Sequence, residues 1–432
     1  MADGRVVIVG GGILGTMHAL WALEQGFEVV HLERELEARG ASVRNFGLVW
    51  VGGRAGGLEL ELARRARQLW EEVAGRVNGL DFRPVGSLTV ALEEAELRLM
   101  KEACSREDAE ARGWQLLDNK AAREVNPELS PLVLGALYCR ADAIVEPRLA
   151  LRRLREHLTG HAGYQWLPRR SVVQLGEHGG PAVRDDRGDW HLCDRVFLCT
   201  GAASLGWAGR DVGREASADA GWEASADAGR EASADAGSEA SSEAGQSALR
   251  SPGPEGGREG GRGPGVPKTR RVRLQMLETH PYPGSVATAL ADGDSMRYYP
   301  AFELPGREGL GPQAEPASAA RAQLLLVQRV DGGLTIGDTH DYDEPFPFDL
   351  DEEIYDYLLD RAEQLLRHPV PGVRRRWAGV YSEVARREDG LYWREEIAPG
   401  VEVVSGPGGR GMTCSPAIAE ESLSRLVGGN GG

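Results

Sequence analysis

Three features of the 432-residue sequence predict an α/β protein. The chain opens on an apolar strand, a glycine turn and a helix, and apolar strands followed by glycines return at Arg195–Ala202 and Val401–Val404. Strands with period-two alternation fill the gaps between them. The first two features call for a parallel, Rossmann-type sheet, and the third for a second domain of mixed-sheet α+β type.

Taken in order, Arg5–Val9 reads as a buried strand, Leu14–Gln25 as a helix and Glu28–Leu32 as a second strand, a βαβ unit. Leu58–Arg76 carries Arg and Glu on one face and predicts an amphipathic helix. Alternation at Ser87–Leu92 and Leu134–Val145 predicts strands of an exposed sheet. A helix at Glu146–Leu158 and strands at Tyr164–Leu167 and Ser171–Leu175 lead to the buried strand of Arg195–Ala202. Strands at Leu274–Thr279, Gln323–Arg329 and Leu334–Gly337 then precede an acidic helix, Asp351–Leu366. The strand Val401–Val404, a glycine loop and a final helix complete the order.

One segment stands apart. Arg214–Gly245 repeats an octad four times, as REASADAG, WEASADAG, REASADAG and SEASSEAG, with eight acidic and two basic residues and no apolar stripe. Such a segment cannot offset its ordering entropy and predicts a disordered, low-complexity insertion over 207–268. The remaining pieces divide into 1–80, 146–206 and 376–432 for the Rossmann-type domain, and 81–145 with 269–375 for the second domain.

Composition narrows the function. A formal charge of −16 argues against a nucleic-acid surface, and no stretch reaches the roughly 18 apolar residues of a membrane span. The five cysteines are scattered and never spaced as CxxC, so neither a disulfide framework nor a metal site is expected. The apolar run begins so soon after Met1 that a cytoplasmic protein with reduced thiols is expected.

The strongest motif is Gly10-Gly-Gly12-Ile-Leu-Gly15. Gly10 permits the tight turn, Gly12 lets backbone approach a pyrophosphate, and Gly15 lets helix and strand pack closely. The helix that follows aims its N-terminal N–H groups at that pyrophosphate. Glu33, eighteen residues after Gly15 at the end of the next strand, can accept hydrogen bonds from ribose hydroxyls and would repel a 2′-phosphate. NAD and FAD share this fingerprint. Three further pieces favour FAD: the small-residue run Gly40–Gly47 with Ser42 for a phosphate oxygen, the Cys199–Ala202 turn, and the loop Gly406–Thr413 before the last helix. Backbone N–H groups of that loop suit the negative charge of a reduced flavin.

With these residues in place, the chain resembles the FAD-dependent amine and amino acid oxidoreductases of the D-amino acid oxidase, glycine oxidase and sarcosine oxidase type. The runs Ala41–Gly47, Gly332–Asp338 with His340, Arg376–Tyr381 and Gly408–Thr413 look like the branch associated with aminophosphonate catabolism. The resemblance implies a Rossmann-type FAD-binding domain with a mixed-sheet substrate domain. It also implies that Gly10, Gly12, Gly15, Glu33, Ser42, Val173, Gly408 and Met412 contact FAD, with Val172 the alternative to Val173. Two departures matter. Tyr381 stands where the wider family's W-A-G-L-R run holds a carboxylate-binding Arg, so ordinary α-amino acids become doubtful substrates. Gly379 stands where sarcosine oxidases attach flavin to a Cys, so non-covalent FAD is expected.

Amine oxidation by flavin needs a neutral amine held against the ring, which aromatic walls promote by desolvation. Trp50, Tyr298, Tyr299 and Tyr381 are the candidate walls. A phosphonate calls for charge-assisted donors, and Arg44, Arg297, Arg410 and His340 are available, with Arg297 the favoured anchor. Arg297, Tyr299, His340 and Tyr381 are therefore the expected catalytic residues, and Asp338 is expected to orient His340. The reading is oxidation of a small aminophosphonate or N-methylated amine, with oxygen or another carrier as acceptor. A secondary or D-amino acid oxidase, and a non-catalytic dinucleotide-binding interaction protein, are the alternatives.

Overall fold

The computed structural model describes residues 4–203 and 269–428, so the expected disordered insertion lies outside the described residues. β1 (Arg5–Val9), α1 (Ile13–Glu24) and β2 (Glu28–Glu33) form the opening βαβ unit. β1 lies at the centre of a six-stranded sheet ordered Trp393–Ala398, Val401–Ser405, Arg195–Leu198, β1, β2, Tyr164–Pro168. Its pairings are parallel except the one between Trp393–Ala398 and Val401–Ser405. The period of two along β1 sorts its side chains. Val6 and Ile8 face a helical layer that includes α1, Leu58–Arg76 and Gly411–Gly428. Val7 and Val9 pack with Leu175 and Val183 of a small three-stranded antiparallel sheet. Every residue of α1 from Ile13 to Leu23 is buried, which explains why this helix lacks a polar face.

The second sheet has eight strands in the order Val373–Val384, Thr269–Pro281, Gly333–Gly337, Leu325–Gln328, Ala289–Ala291, Ser87–Ala91, Gly135–Cys139, Trp114–Asp118. It is mixed, because Ala289–Ala291 runs parallel to Ser87–Ala91 while its other pairings are antiparallel. One face packs on the helix Glu352–Leu365 through Leu290, Leu326, Leu334 and Ile336. The other carries Leu274, Met276, Ala291, Leu325 and Val327 against Phe46 and Trp50, which come from the segment after β2. That contact brings the two sheets to one site.

Two readings from sequence need correction. The boundary at 376 falls inside a strand: Val373–Val384 pairs from Thr269↔Val384 to Thr279↔Val373, so residues 376–384 belong to the second sheet. Trp377-Ala-Gly-Val-Tyr381 carries no signal that could separate the two sheets. Leu134–Val145 is also divided, into Gly135–Cys139 of the eight-stranded sheet and Ala143–Ile144, which pairs with Leu48–Val49.

Candidate active site

The fingerprint turn is built as its glycines require. Gly10 has a φ of 109°, and a Cβ on it would overlap the Cys199 carbonyl oxygen. A Cβ on Gly15 would overlap the Gly10 carbonyl oxygen, which fixes how closely α1 crosses β1. On Gly12 it would meet Ser42 Oγ at 2.9 Å, and that hydroxyl accepts the Ile13 N–H at 3.0 Å. Glu33 accepts the Gly11 N–H at 2.7 Å through Oε2 and the Glu35 N–H at 3.0 Å through Oε1. Gly10, Gly12, Gly15, Glu33 and Ser42 are thus brought together. Beneath them, His31 Nε2–H donates to the Gly10 carbonyl at 2.9 Å, while its Nδ1 accepts from the Tyr164 hydroxyl at 2.9 Å. Burial pushes His31 down to about 3, so the ring is neutral. Arg155, stacked over Trp166, donates to the Gly11 carbonyl at 3.1 Å. These two donors hold the carbonyls of the turn inward. Val173 is half-buried on the strand Val172–Glu177, while Val172 packs into the core beneath β2.

The second glycine loop sits over a buried charge cluster. Gly408 has a φ of 60°, and Met412 is buried with its carbonyl accepting from Trp70 Nε1 at 2.9 Å. Arg410 donates to Glu59 at 2.7 Å, and Arg54 Nη1 stands 3.9 Å from the same carboxylate. Arg54 also donates to the Trp50 carbonyl at 2.9 Å and to Thr413 Oγ1 at 3.3 Å. Two guanidinium groups around one carboxylate leave a net positive charge beside the start of the last helix.

On the face of the eight-stranded sheet, Trp50 stacks on Tyr299 with ring centroids 5.4 Å apart, and both share an apolar cluster with Tyr381. Tyr298 stacks on His340 at 5.9 Å. His340 Nδ1–H donates to the Arg321 carbonyl at 3.2 Å, and its Nε2 stands 3.7 Å from Asp338 Oδ2. Burial pushes His340 down to about 4, leaving it neutral near pH 7, and pushes the Tyr381 hydroxyl up. Gln323 Nε2 reaches the Tyr299 hydroxyl at 3.5 Å. Three buried polar atoms here have no hydrogen-bond partner among the described residues: Trp50 Nε1, Gln323 Oε1 and Asp338 Oδ1.

Arg297 is a correction. Its Nε donates to Asp294 at 2.7 Å, and its terminal nitrogens donate to the carbonyls of Gly311 at 2.7 Å and Leu310 at 3.1 Å. Three of the guanidinium's five N–H groups are taken by its own loop, and Asp294 offsets its charge, so it is held as a loop staple. A sequence shows the cation and not the carbonyls that a loop folds around it.

A family model described as FAD dependent oxidoreductase (DAO) matches residues 5–220 and 253–424. The chain belongs to the DAO family of FAD-dependent oxidoreductases. Over 160 residues it is 31% identical to an opine oxidase subunit from Rhizobium meliloti, a match covering 33% of this chain and 41% of that protein. The chain thus spans about two fifths of that curated relative's length. Its fold matches glycine oxidase from Geobacillus kaustophilus with a TM-score of 0.68 and 17% identity, over 99% of this chain and 95% of that one. Iminodiacetate oxidase from Chelativorans sp. BNC1 follows with a TM-score of 0.64 and 17% identity, over 98% and 95%.

The geometry of this DAO-family chain fits FAD. Its α1 starts at Gly12, which has no side chain to cap it; Ser42 takes the Ile13 N–H, and Glu33 at the end of β2 takes the Gly11 N–H, which places both beside a helix start suited to a pyrophosphate. Of the residues expected on the substrate side, Tyr299, His340 and Tyr381 converge and Arg297 does not. Sequence reasoning missed Arg54, His31, Arg155 and Gln323, none of which lies in a recognisable motif. Asp338 was visible only as a neighbour of His340. No helix of the described residues is long and apolar enough to cross a membrane.

Proposed function

We propose that this FAD-dependent oxidoreductase oxidises a small amine, an aminophosphonate or an N-methylated amine. The product is an imine that water hydrolyses to an aldehyde and ammonia or methylamine. The observation that carries the reading is the pair of unpartnered acceptors, Gln323 Oε1 and Asp338 Oδ1, in the buried cluster around the Trp50–Tyr299 stack. Buried acceptors without donors suit a ligand that brings N–H groups. FAD, when bound, supplies the acceptor for the two electrons of the C–H bond. The chain's own residues hold the amine, exclude water with Trp50 and Tyr299, and control its proton.

For an anionic end, Arg44 replaces Arg297 as the favoured anchor. It is half-buried, and among the described residues its side chain donates one hydrogen bond, from Nη1 to the Ala378 carbonyl at 2.9 Å. A Cβ on Gly379 would meet Arg44 Cβ at 3.3 Å, and Gly379 shares a strand face with Tyr381 two residues on. Arg410 is already paired with Glu59. We also infer non-covalent attachment of FAD, since Gly379 offers no thiol: acid precipitation should leave the flavin in the supernatant.

The test is anaerobic mixing of the purified yellow protein with a panel of amines, aminophosphonates and secondary amino acids. Bleaching by aminophosphonates or N-methylated amines supports the proposal. Bleaching by secondary amino acids alone supports the second reading, a secondary amino acid oxidase, which the likeness to an opine oxidase favours. A flavin that no amine bleaches rules out both.

A further inference from the structure

We propose that Asp338 takes the proton of the substrate's ammonium group while Gln323 holds the nitrogen, an assignment that rests on the amine-oxidation reading and adds the residue that makes the amine reactive.

Asp338 directly follows the strand Gly333–Gly337, where backbone hydrogen bonds run both ways between it and Gln323, one of them at 2.9 Å. The two side chains therefore leave neighbouring strand ends together. Asp338 is 7% exposed, and its Oδ1 has no partner. Among the described residues its titratable neighbour within ion-pair range is His340, and no Lys or Arg pairs with it. The titratable groups that face it are His340 and Tyr342 on its own segment, Tyr299 from the loop after Ala289–Ala291, and Tyr381 from the strand Val373–Val384. None of these supplies a positive charge near neutral pH, since His340 is held neutral, and the guanidinium beyond them, Arg321, lies over the Tyr342 ring and donates to the His340 carbonyl without an ion pair to Asp338 among the described residues.

A buried carboxylate without a cation is costly, so an incoming ammonium is the counter-ion this pocket lacks. Burial pushes the Asp338 carboxyl well above the usual carboxylate range, with only the Thr339 N–H and the Gln323 amide opposing it, so its ionised form is the one that takes the ammonium and is a strong enough base to keep the proton. The same desolvation disfavours an ammonium–carboxylate pair against an amine–carboxylic acid pair. In the step that follows, one N–H bond of the ammonium breaks, its electron pair stays on nitrogen, and an O–H bond forms on Asp338. Ammonium and carboxylate become amine and carboxylic acid, with no oxidant consumed. His340 stands on the side of the other oxygen: its Nδ1–H is committed to the Arg321 carbonyl, and its unprotonated Nε2 lies 3.7 Å from Asp338 Oδ2, longer than a hydrogen bond. A proton resting on that side leaves Oδ1 and Gln323 Oε1 to accept the amine's N–H groups, and the nitrogen lone pair is free for C–H cleavage.

The experiment uses the FAD-loaded enzyme and the best amine from the anaerobic panel. The flavin-reduction rate is followed from pH 6 to 10 in wild type and in Asp338→Asn. We expect Asp338→Asn to be about 100-fold slower at pH 7 and to recover as pH rises and the amine loses its proton in solution. An infrared difference spectrum supplies an independent reading. Adding an amine with no hydrogen on its nitrogen-bearing carbon, 2-amino-2-methylpropylphosphonate, to wild type at pH 7 should perturb a protonated-carboxyl band that Asp338→Asn lacks. An unchanged rate and pH profile in Asp338→Asn overturns the proposal while leaving amine oxidation standing. Failure of every amine to reduce wild type sinks the amine reading and this one with it. Should Asp338→Asn lose its flavin, Asp338→Glu decides, because the carboxyl band must shift with the longer side chain, and a band that does not move overturns the assignment.

Discussion

Two neighbouring regions of the molecule treat their polar groups in opposite ways. Around the fingerprint turn, the Gly10 and Gly11 carbonyls are held by His31 and Arg155, and the Gly11 and Ile13 N–H groups by Glu33 and Ser42. Around Tyr299, three buried polar atoms have no partner among the described residues. The first region is a rigid mould finished by the fold. The second is left incomplete, and since buried polar groups are costly when unpaired, the missing donors and acceptors are those a ligand must bring. On the function proposed here, the contrast separates a scaffold for a fixed cofactor from a surface that selects what is oxidised.

The sharpest way to break the mould is Gly15→Ala, whose Cβ would overlap the Gly10 carbonyl oxygen. We expect purified protein with flavin content near zero by absorbance, or no soluble protein. A yellow Gly15→Ala enzyme would mean that α1 can slide on β1.

Next in size is the support beneath the turn. His31→Leu removes the donor to Gly10 and strands a buried carbonyl and the Tyr164 hydroxyl, at a cost of about 1–3 kcal/mol for each unpaired group. Thermal unfolding should register this together with weaker flavin retention. The same residue gives a pH dependence. His31 and His18 are held neutral in the fold, at about 3 and about 4, against an ordinary value of 6.5. Below pH 6.5 the unfolded chain takes protons that the folded chain refuses. Their contribution is therefore intact above pH 6.5 and is lost as pH falls toward 4, by up to about 1.4 kcal/mol per unit for each histidine. Denaturant titrations in that window should show a flatter slope for His31→Leu than for wild type.

On the incomplete side, Arg44→Met should raise the concentration of an anionic amine needed to bleach the flavin. The loss of a charge-assisted hydrogen bond corresponds to about 1.5–3 kcal/mol, or one to two decades. Uncharged amines should be unaffected, and equal losses for both classes would remove Arg44 as the anchor. The smallest effect is expected from Arg297→Met. It releases a loop staple, so a modest drop in thermal midpoint should accompany a substrate dependence within about twofold of wild type. A large substrate effect would restore Arg297 to the site.

Much of the scaffold was legible in the sequence because it is written in local rules. The glycine spacing, the apolar run before it and Glu33 after it need only strand, turn and helix geometry. Helix Leu58–Arg76 was legible from its stripe and has the bounds read from it. The substrate side was legible in part: Tyr299, His340 and Tyr381 sit in distinctive runs, but whether they meet depends on how the eight-stranded sheet pairs.

What the sequence by itself determined is the first sheet: parallel strands, a tight glycine turn after β1, and the Glu33 carboxylate at the end of β2. Only the tertiary structure decided which strands close the second sheet, that Arg297 is spent on Asp294 and two carbonyls, and that Asp338 and Gln323 share one buried corner. The physical reason is range. Turn and helix signals act over a few residues, whereas pairing, burial and the loss of a hydrogen-bond partner depend on groups tens to hundreds of residues apart, which meet only when the chain has folded.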